Sequence, residues 1–230
     1  CRPSQDREHS MTKWSYSGIK QFETCPRQYH EIKVLKKYPR QETEQTLYGT
    51  RLHEQAELHI KDKRPLDADF KFMQPTMDAI NAMSGRKFTE YEMALDVNLR
   101  VCDFYSPDYW VRGIADLIII DDDNLSARCF DYKSGGDKYP DVDQLTLMSL
   151  LIFKFFPHIR TVSSGLLFVL RDTVFKHKVV RDQEQGLWWR YKERVARLEA
   201  AHTSGVWNPK KSGLCKKYCA VTSCEFNGNH

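Results

Sequence analysis

The sequence predicts an α/β fold in which a mixed central β-sheet is flanked by helices, and three features carry that reading. The odd positions from 91 to 101 are Tyr91, Met93, Leu95, Val97, Leu99 and Val101, with Glu92, Asp96, Asn98 and Arg100 between them. This period-two alternation marks a half-buried strand. Two further apolar runs, residues 109–120 and 127–133, are separated by Asp121-Asp122-Asp123-Asn124, whose side chains favour a turn. Helical periodicity brackets these strands on both sides, as expected of helices laid on a sheet.

Taken in order, Ser15 or Ser17 is suited to cap a short helix with Ile19 and Phe22 on one face, ending near Cys25-Pro26. A second helix is expected over residues 47–60, with Leu52, Ala56 and Ile60 as its apolar stripe and His53 beside it. After the three strands, residues 141–156 read as a helix that Pro157 ends. Strands over 164–170 and 174–180 follow, then a long helix through Trp188, Val195 and Leu198, then a tail bearing cysteines. No internal repeat or linker divides the chain. Residues 1–11 read as a disordered or extraneous leader, with Met11 as a natural start, and residues 12–230 as one domain.

Composition excludes some classes. With 41% apolar and 29% charged residues, the chain has globular rather than disordered composition. The longest nearly uninterrupted apolar stretch, residues 145–153, is too short to span a bilayer. No charged leader followed by an apolar region opens the chain, so secretion is not expected and a cytoplasmic setting is. The seven cysteines then read as reduced thiols or metal ligands rather than disulfides. A net charge of +4 permits a polyanionic partner without demanding one; Lys and Arg concentrate at residues 33–40 and 210–217.

The chemistry centres on two strands. Period two puts Asp131 and Lys133 on one strand face, with Tyr132 opposite, just before Ser134-Gly135-Gly136. Asp116 lies within the apolar run Ile114-Ala115-Asp116-Leu117-Ile118, where a lone carboxylate is costly to bury without a cation or donors. Two carboxylates converging from neighbouring strands suit Mg²⁺ or Mn²⁺. Asp131 and Lys133 alone could be a surface ion pair, and for any one of these residues alone an ordinary structural role is the favoured reading.

Together, Asp116 and Asp131-Tyr132-Lys133, preceded by Glu92 and followed by Gln144, resemble the PD-(D/E)XK nuclease superfamily, whose fold is a restriction-endonuclease-like core. The surroundings resemble its RecB-like branch: Gly49 and His53 match a helical GxxxH element, and Cys25-Pro26-Arg27-Gln28-Tyr29 matches CPRxY. Gln144 falls where that branch has a QxxxY helix, with Met148 in place of the tyrosine. The resemblance covers residues 15–225. It implies that His53, Asp116, Asp131 and the Tyr132 carbonyl hold the divalent ion and that Lys133 positions or activates water. It also implies that Gln144 orients Lys133 or the substrate, and that Glu92 is the first-strand acid. Arg27, Arg51 and Arg112 are the DNA-binding candidates it suggests.

Cys25 together with Cys215, Cys219 and Cys224 resembles the iron–sulfur staple of some RecB-like nucleases, including CRISPR-adaptation exonucleases. Four thiolates would hold a [4Fe-4S] cluster or zinc; ordinary reduced thiols are the alternative. Cys102 and Cys129 read as buried strand residues, while His177 and His202 carry no pattern. The Trp188, Trp189 and Tyr191 cluster is expected to be helix core more than a base-stacking surface. The function implied is an Mg²⁺- or Mn²⁺-dependent deoxyribonuclease, an exonuclease on single strands or duplex ends, in recombination, repair or phage DNA processing. The alternatives are a structure-selective or restriction-type endonuclease, a non-catalytic nucleic-acid-binding module, or an accessory subunit whose nuclease needs a helicase, integrase or recombinase partner. The chain has no P-loop of its own.

Overall fold

A computed structural model describes residues 12–39, 42–136 and 140–228, so the leader expected over residues 1–11 lies outside the described residues. The chain divides into two compact units, one from Gln41–Trp188 and the other from Cys1–Arg40 with Trp189–His230.

The larger unit holds a six-stranded sheet in the order β2-β1-β3-β4-β5-β6. Its strands are β1 (Arg86–Leu95), β2 (Val101–Cys102), β3 (Val111–Asp121), β4 (Ser126–Lys133), β5 (Thr161–Phe168) and β6 (Thr173–Val180). Only the β4–β5 pair is parallel, and α5 (Val142–Phe155) makes the crossover that a parallel pair requires. The sheet is therefore mixed, flanked by helices and of the α/β class, as the sequence predicts.

Alternation along β5 shows how the layers are filled. Leu167 joins a core formed with Leu52, Ala56 and Ile60 of α3 (Glu44–Asp62) and with Met77 and Ile80 of α4 (Gln74–Ala82). Its neighbours Leu166 and Phe168 pack instead with Leu145 of α5. Successive strand residues point to opposite faces, so α3 and α4 cover one face and α5 the other. Helix α3 starts earlier than its apolar stripe, because Thr43 and Thr46 cap each other's backbone N–H groups. A 3₁₀ turn over Ala68–Met73 leads into α4, and its buried Phe70 and Met73 complete this core.

The alternating run at residues 91–101 does not form one strand. Strand β1 starts at Arg86 and ends at Leu95, where Asp96 accepts a hydrogen bond from the Arg100 N–H at 2.9 Å and Leu99 adopts a left-handed φ of 59°. The Asx-type turn outcompetes the apolar alternation, leaving Val101–Cys102 as a short edge strand. Cys102 is accordingly half-buried, whereas Cys129 on β4 is buried.

The smaller unit gathers both ends of the chain. Helix α1 (Tyr16–Thr24) is capped by Ser15, which accepts from Gly18 N–H, and α2 (Pro26–Tyr29) continues as a π-turn over His30–Val34. The later turns of α6 (Glu184–Ser204) supply Arg194, whose guanidinium grips Glu23 at 2.6 Å and 2.8 Å. Trp207 stacks on His30 and Tyr29. Tyr191 is buried here and Trp188 is buried in the larger unit, as expected of core, but Trp189 is 61% exposed. No helix among the described residues is long and apolar enough to cross a membrane.

Gly85 enters β1 with φ +118°, and a Cβ there would stand 2.6 Å from the Ile120 carbonyl oxygen. Replacing Gly85 with alanine is expected to cost on the order of 1–3 kcal/mol through backbone strain, read from the midpoint shift in urea unfolding. Gly186, where a Cβ meets nothing within 4 Å, serves as the tolerant control.

Candidate active site

The site forms where two paired strands part. The β3–β4 ladder runs from Asp121↔Ser126 to Leu117↔Phe130 and stops there. Just beyond it, the Tyr132 N–H donates to Asp116 Oδ2 at 2.7 Å instead of to a strand carbonyl. The aspartate thus fills the gap in the ladder and satisfies a donor that the divergence would orphan. The same oxygen lies 3.2 Å from His53 Nδ1 of α3.

Gly49 explains how α3 comes so close. A Cβ at Gly49 would stand 3.3 Å from the Ser134 hydroxyl, so a glycine four residues before His53 lets the helix approach the end of β4. The GxxxH spacing then places the imidazole one helical turn on, against Asp116 and edge-on to the Tyr132 ring at 5.9 Å between centroids.

Asp131 and Lys133 share a strand face, and their side chains meet, with Asp131 Oδ2 and Lys133 Nζ 2.6 Å apart. Gln144, in the first turn of α5, closes the triangle. Its amide nitrogen donates to Asp131 Oδ1 at 2.6 Å and its oxygen accepts from Lys133 Nζ at 3.2 Å. Met148 lies one turn further along α5, close to Gly113 of β3.

The acid of β1 that the structure brings beside His53 and Asp116 is Glu90, whereas the family pattern suggests Glu92 for the first-strand position. Register places Glu90 between the pairs Thr89↔Leu117 and Tyr91↔Ala115, across from Asp116. Glu90 has a left-handed φ of 44°, and Phe88 and Tyr91 both reach the Phe156 ring although they are three residues apart. The strand's alternation therefore slips at Glu90. Ligand atoms of His53, Glu90 and Asp116 lie within 4.8 Å of one another, the one group among the described residues with the spacing to hold a metal ion. Glu92 is turned to the Tyr105 hydroxyl, which donates to its Oε1 at 2.8 Å. Sequence could have offered Glu90 only through strand register, since both acids have the same parity.

Electrostatics show a cluster short of positive charge. Burial and the Asp116 charge push Glu90 up to about 7. Burial and Asp116 likewise push Asp131 up to about 6, although Lys133 opposes the shift. Burial draws the His53 pKa down, but the Asp116 hydrogen bond and the Asp116 and Asp131 charges outweigh it and hold the pKa above the ordinary value. One imidazole nitrogen and two carboxylates form a donor set that suits a divalent cation. A dication there would relieve the repulsion that raises both acids. The residues present therefore fit such an ion.

The other candidates are placed differently. Arg51 is half exposed, 3.9 Å from Asp67 and over the Phe70 ring. The Arg112 guanidinium lies over both the Phe104 and the Tyr109 rings. Arg27 belongs to the smaller unit, where it pairs with Glu225 at 2.8 Å and donates to the Ser223 carbonyl. Cys25, Cys215, Cys219 and Cys224 line one cavity of that unit. Backbone N–H groups of Lys210 and Ser212 point at the Cys25 and Cys215 sulfurs, each at 3.4 Å.

The raised pKa values predict a pH dependence. An acid whose folded pKa lies above its unfolded value binds more protons when folded, so it stabilises at low pH and loses that contribution as pH rises. His53, also raised, acts in the same direction. In EDTA, the melting temperature is expected to fall between about pH 5 and pH 7.5, the window set by the raised acids. Glu90→Gln should flatten the fall, and Mn²⁺ should restore stability at the upper end. A melting temperature that rises over this range would contradict the charge balance described.

Comparison with known proteins bears directly on this arrangement. A family model described as the PD-(D/E)XK nuclease superfamily matches residues 13–224. No curated relative matches the chain. Among solved structures, a protein of Eubacterium rectale named "Putative exonuclease" is 14% identical with a TM-score of 0.52, over 92% of this chain and 88% of its own. The protein SSO0001 is 16% identical with a TM-score of 0.48, over 94% and 86%. The E. rectale structure shares the fold. With the family model spanning nearly the whole chain and Asp116, Asp131 and Lys133 lying just beyond the point where the β3–β4 ladder stops, this chain belongs to the PD-(D/E)XK nuclease superfamily.

Proposed function

We propose that this chain is a divalent-metal-dependent deoxyribonuclease of RecB-like type, acting as an exonuclease on single-stranded DNA or duplex ends. The observation that carries the reading is the apposition of His53, Glu90 and Asp116 to the linked Asp131, Lys133 and Gln144. His53, Glu90 and Asp116 would hold Mg²⁺ or Mn²⁺, with Asp131 as the neighbouring carboxylate. A bound dication supplies Lewis-acid polarisation of a phosphoryl oxygen and acidifies water. The chain's own residues do the rest. Asp131 and Gln144 hold the Lys133 ammonium at a fixed place, where its charge offsets negative charge developing on a phosphodiester. Asp116, anchored by the Tyr132 N–H and His53, keeps its carboxylate orientation without reorganisation. The exonuclease assignment draws support from the name of the E. rectale structure and from the RecB-like motifs.

The four cysteines that share a cavity support an iron–sulfur cluster or zinc as a structural group in the smaller unit. Backbone N–H groups directed at the Cys25 and Cys215 sulfurs are a donor arrangement that would stabilise charge on cluster ligands. Recombination, repair or phage DNA processing is the setting we propose, alongside a helicase, integrase or recombinase partner.

The test is degradation of end-labelled linear and circular DNA, single- and double-stranded, with Mg²⁺, Mn²⁺ or EDTA. Lys133→Ala and Asp131→Asn are expected to lower cleavage at least about 100-fold with the fold intact. Metal-independent cleavage, or wild-type rates in both variants, would sink the mechanism; cutting of circles would move the activity to an endonuclease. Glu90→Gln is expected to lose activity as Asp116→Asn does, while Glu92→Gln keeps it within a few-fold. The reverse ranking would return the first-strand role to Glu92. For the cysteines, iron, sulfide and zinc analysis of anaerobically purified protein should show a bound group that Cys215→Ser loses.

A further inference from the structure

The net charge of +4 conceals a division between the two units. The unit Cys1–Arg40 with Trp189–His230 carries seventeen Lys and Arg against seven Asp and Glu, a net +10. The unit Gln41–Trp188, which holds the carboxylate cluster, carries eighteen against twenty-four, a net −6. Both basic runs seen in the sequence, residues 33–40 and 210–217, therefore fall in one unit. They are fastened to the same local structure. Tyr38, at the end of the first run, donates to the Ser223 hydroxyl at 3.0 Å, and Gln28 reaches the Cys219 sulfur.

Not all of these lysines are available. Lys37 pairs with Glu31 at 3.3 Å, Lys210 donates to the Glu23 carbonyl, and Lys211 stands over the Phe226 ring. Lys33, Lys36, Lys216 and Lys217 are exposed and have no ion-pair partner among the described residues. Directly after Lys217 comes Tyr218, whose side chain is 76% exposed, the most exposed of the large apolar side chains described. A large aromatic kept in water beside unpaired lysines gains nothing for the fold. Cations that meet phosphates, with a ring that meets a base, are the two elements of single-strand recognition.

We propose that the smaller unit is a binding surface for single-stranded nucleic acid, in which Lys33, Lys36, Lys216 and Lys217 contact phosphates and Tyr218 stacks on a base. An acidic catalytic unit repels a polyanion in the absence of its metal, so the basic unit supplies the attraction that brings substrate to the chain. The proposal takes its choice of ligand from the nuclease reading, but binding in EDTA is scored without cleavage, so the two stand or fall separately.

The test is fluorescence anisotropy of the full chain with a labelled oligo(dT) 20-mer in EDTA across a salt series. Lys33→Glu with Lys36→Glu, and separately Lys216→Glu with Lys217→Glu, are each expected to raise Kd about tenfold or more. Each should also reduce the log–log salt slope by about 0.7 for every phosphate left without its lysine. Tyr218→Ala should weaken oligo(dT) binding about fivefold or more and leave an abasic 20-mer unaffected. Lys176→Glu with Lys178→Glu, the same charge change on exposed lysines of β6, should have little effect. Only variants with the wild-type melting temperature are scored, and either lysine pair suffices. Equal loss from the β6 pair, a Tyr218→Ala defect that persists on the abasic strand, or unchanged binding in both basic pairs would overturn the proposal. Tight binding with Lys133→Ala inactive supports both readings. Tight binding with Lys133→Ala fully active would remove the mechanism and leave the surface.

Discussion

The arrangement depends on one shared oxygen, Asp116 Oδ2, held between the Tyr132 N–H at 2.7 Å and His53 Nδ1 at 3.2 Å. Two antiparallel strands that stop pairing expose backbone donors and acceptors, and burying these unpaired costs about 1–3 kcal/mol each. By taking the Tyr132 donor, Asp116 lets β3 and β4 separate without that cost. The space opened between them admits His53 from α3 on one side of the cluster and Glu90 from β1. In the proposed mechanism, structural and chemical roles coincide in this carboxylate. Neutralising it would remove a negative charge from the cluster and weaken the support of the strand split together.

The consequence is a concentration of like charge that the protein only partly offsets. Lys133 neutralises Asp131 at 2.6 Å, and His53 leans on Asp116, yet Glu90 and Asp131 remain pushed toward protonation. Protein interiors keep such crowded acids where an external cation completes them. The cluster is thus better matched to a metal-bound than to a metal-free state, which is the physical content of the proposed metal dependence.

Much of this is legible in the sequence, for reasons that differ by residue. Asp131 and Lys133 can be paired from period two alone, and Gly49 with His53 from helical spacing, because both relations are local. Gln144 enters through the family resemblance, and the structure puts it between the two. Glu90 is not legible. Its parity equals that of Glu92, and only the β1–β3 register and a left-handed residue in mid-strand bring it opposite Asp116. The turn at Asp96 is hidden for a similar reason, since a side-chain hydrogen bond overrides a clean apolar alternation. The 3₁₀ turn and α4 are also obscured, although Phe70, Met73, Met77 and Ile80 follow a helical period, because the stretch is short and carries Pro75. The division of charge cannot be read either. It exists only after folding collects the two ends of the chain into one unit.

The most direct measurement of the central claim is calorimetric titration of the metal-free chain with Mn²⁺ near the raised pKa values, in two buffers of different ionisation enthalpy. If His53, Glu90 and Asp116 hold the ion, one Mn²⁺ should bind with release of protons from the raised groups, and Asp116→Asn should abolish the event. Saturable binding that survives Asp116→Asn, or binding without proton release, would place the metal elsewhere and contradict the account.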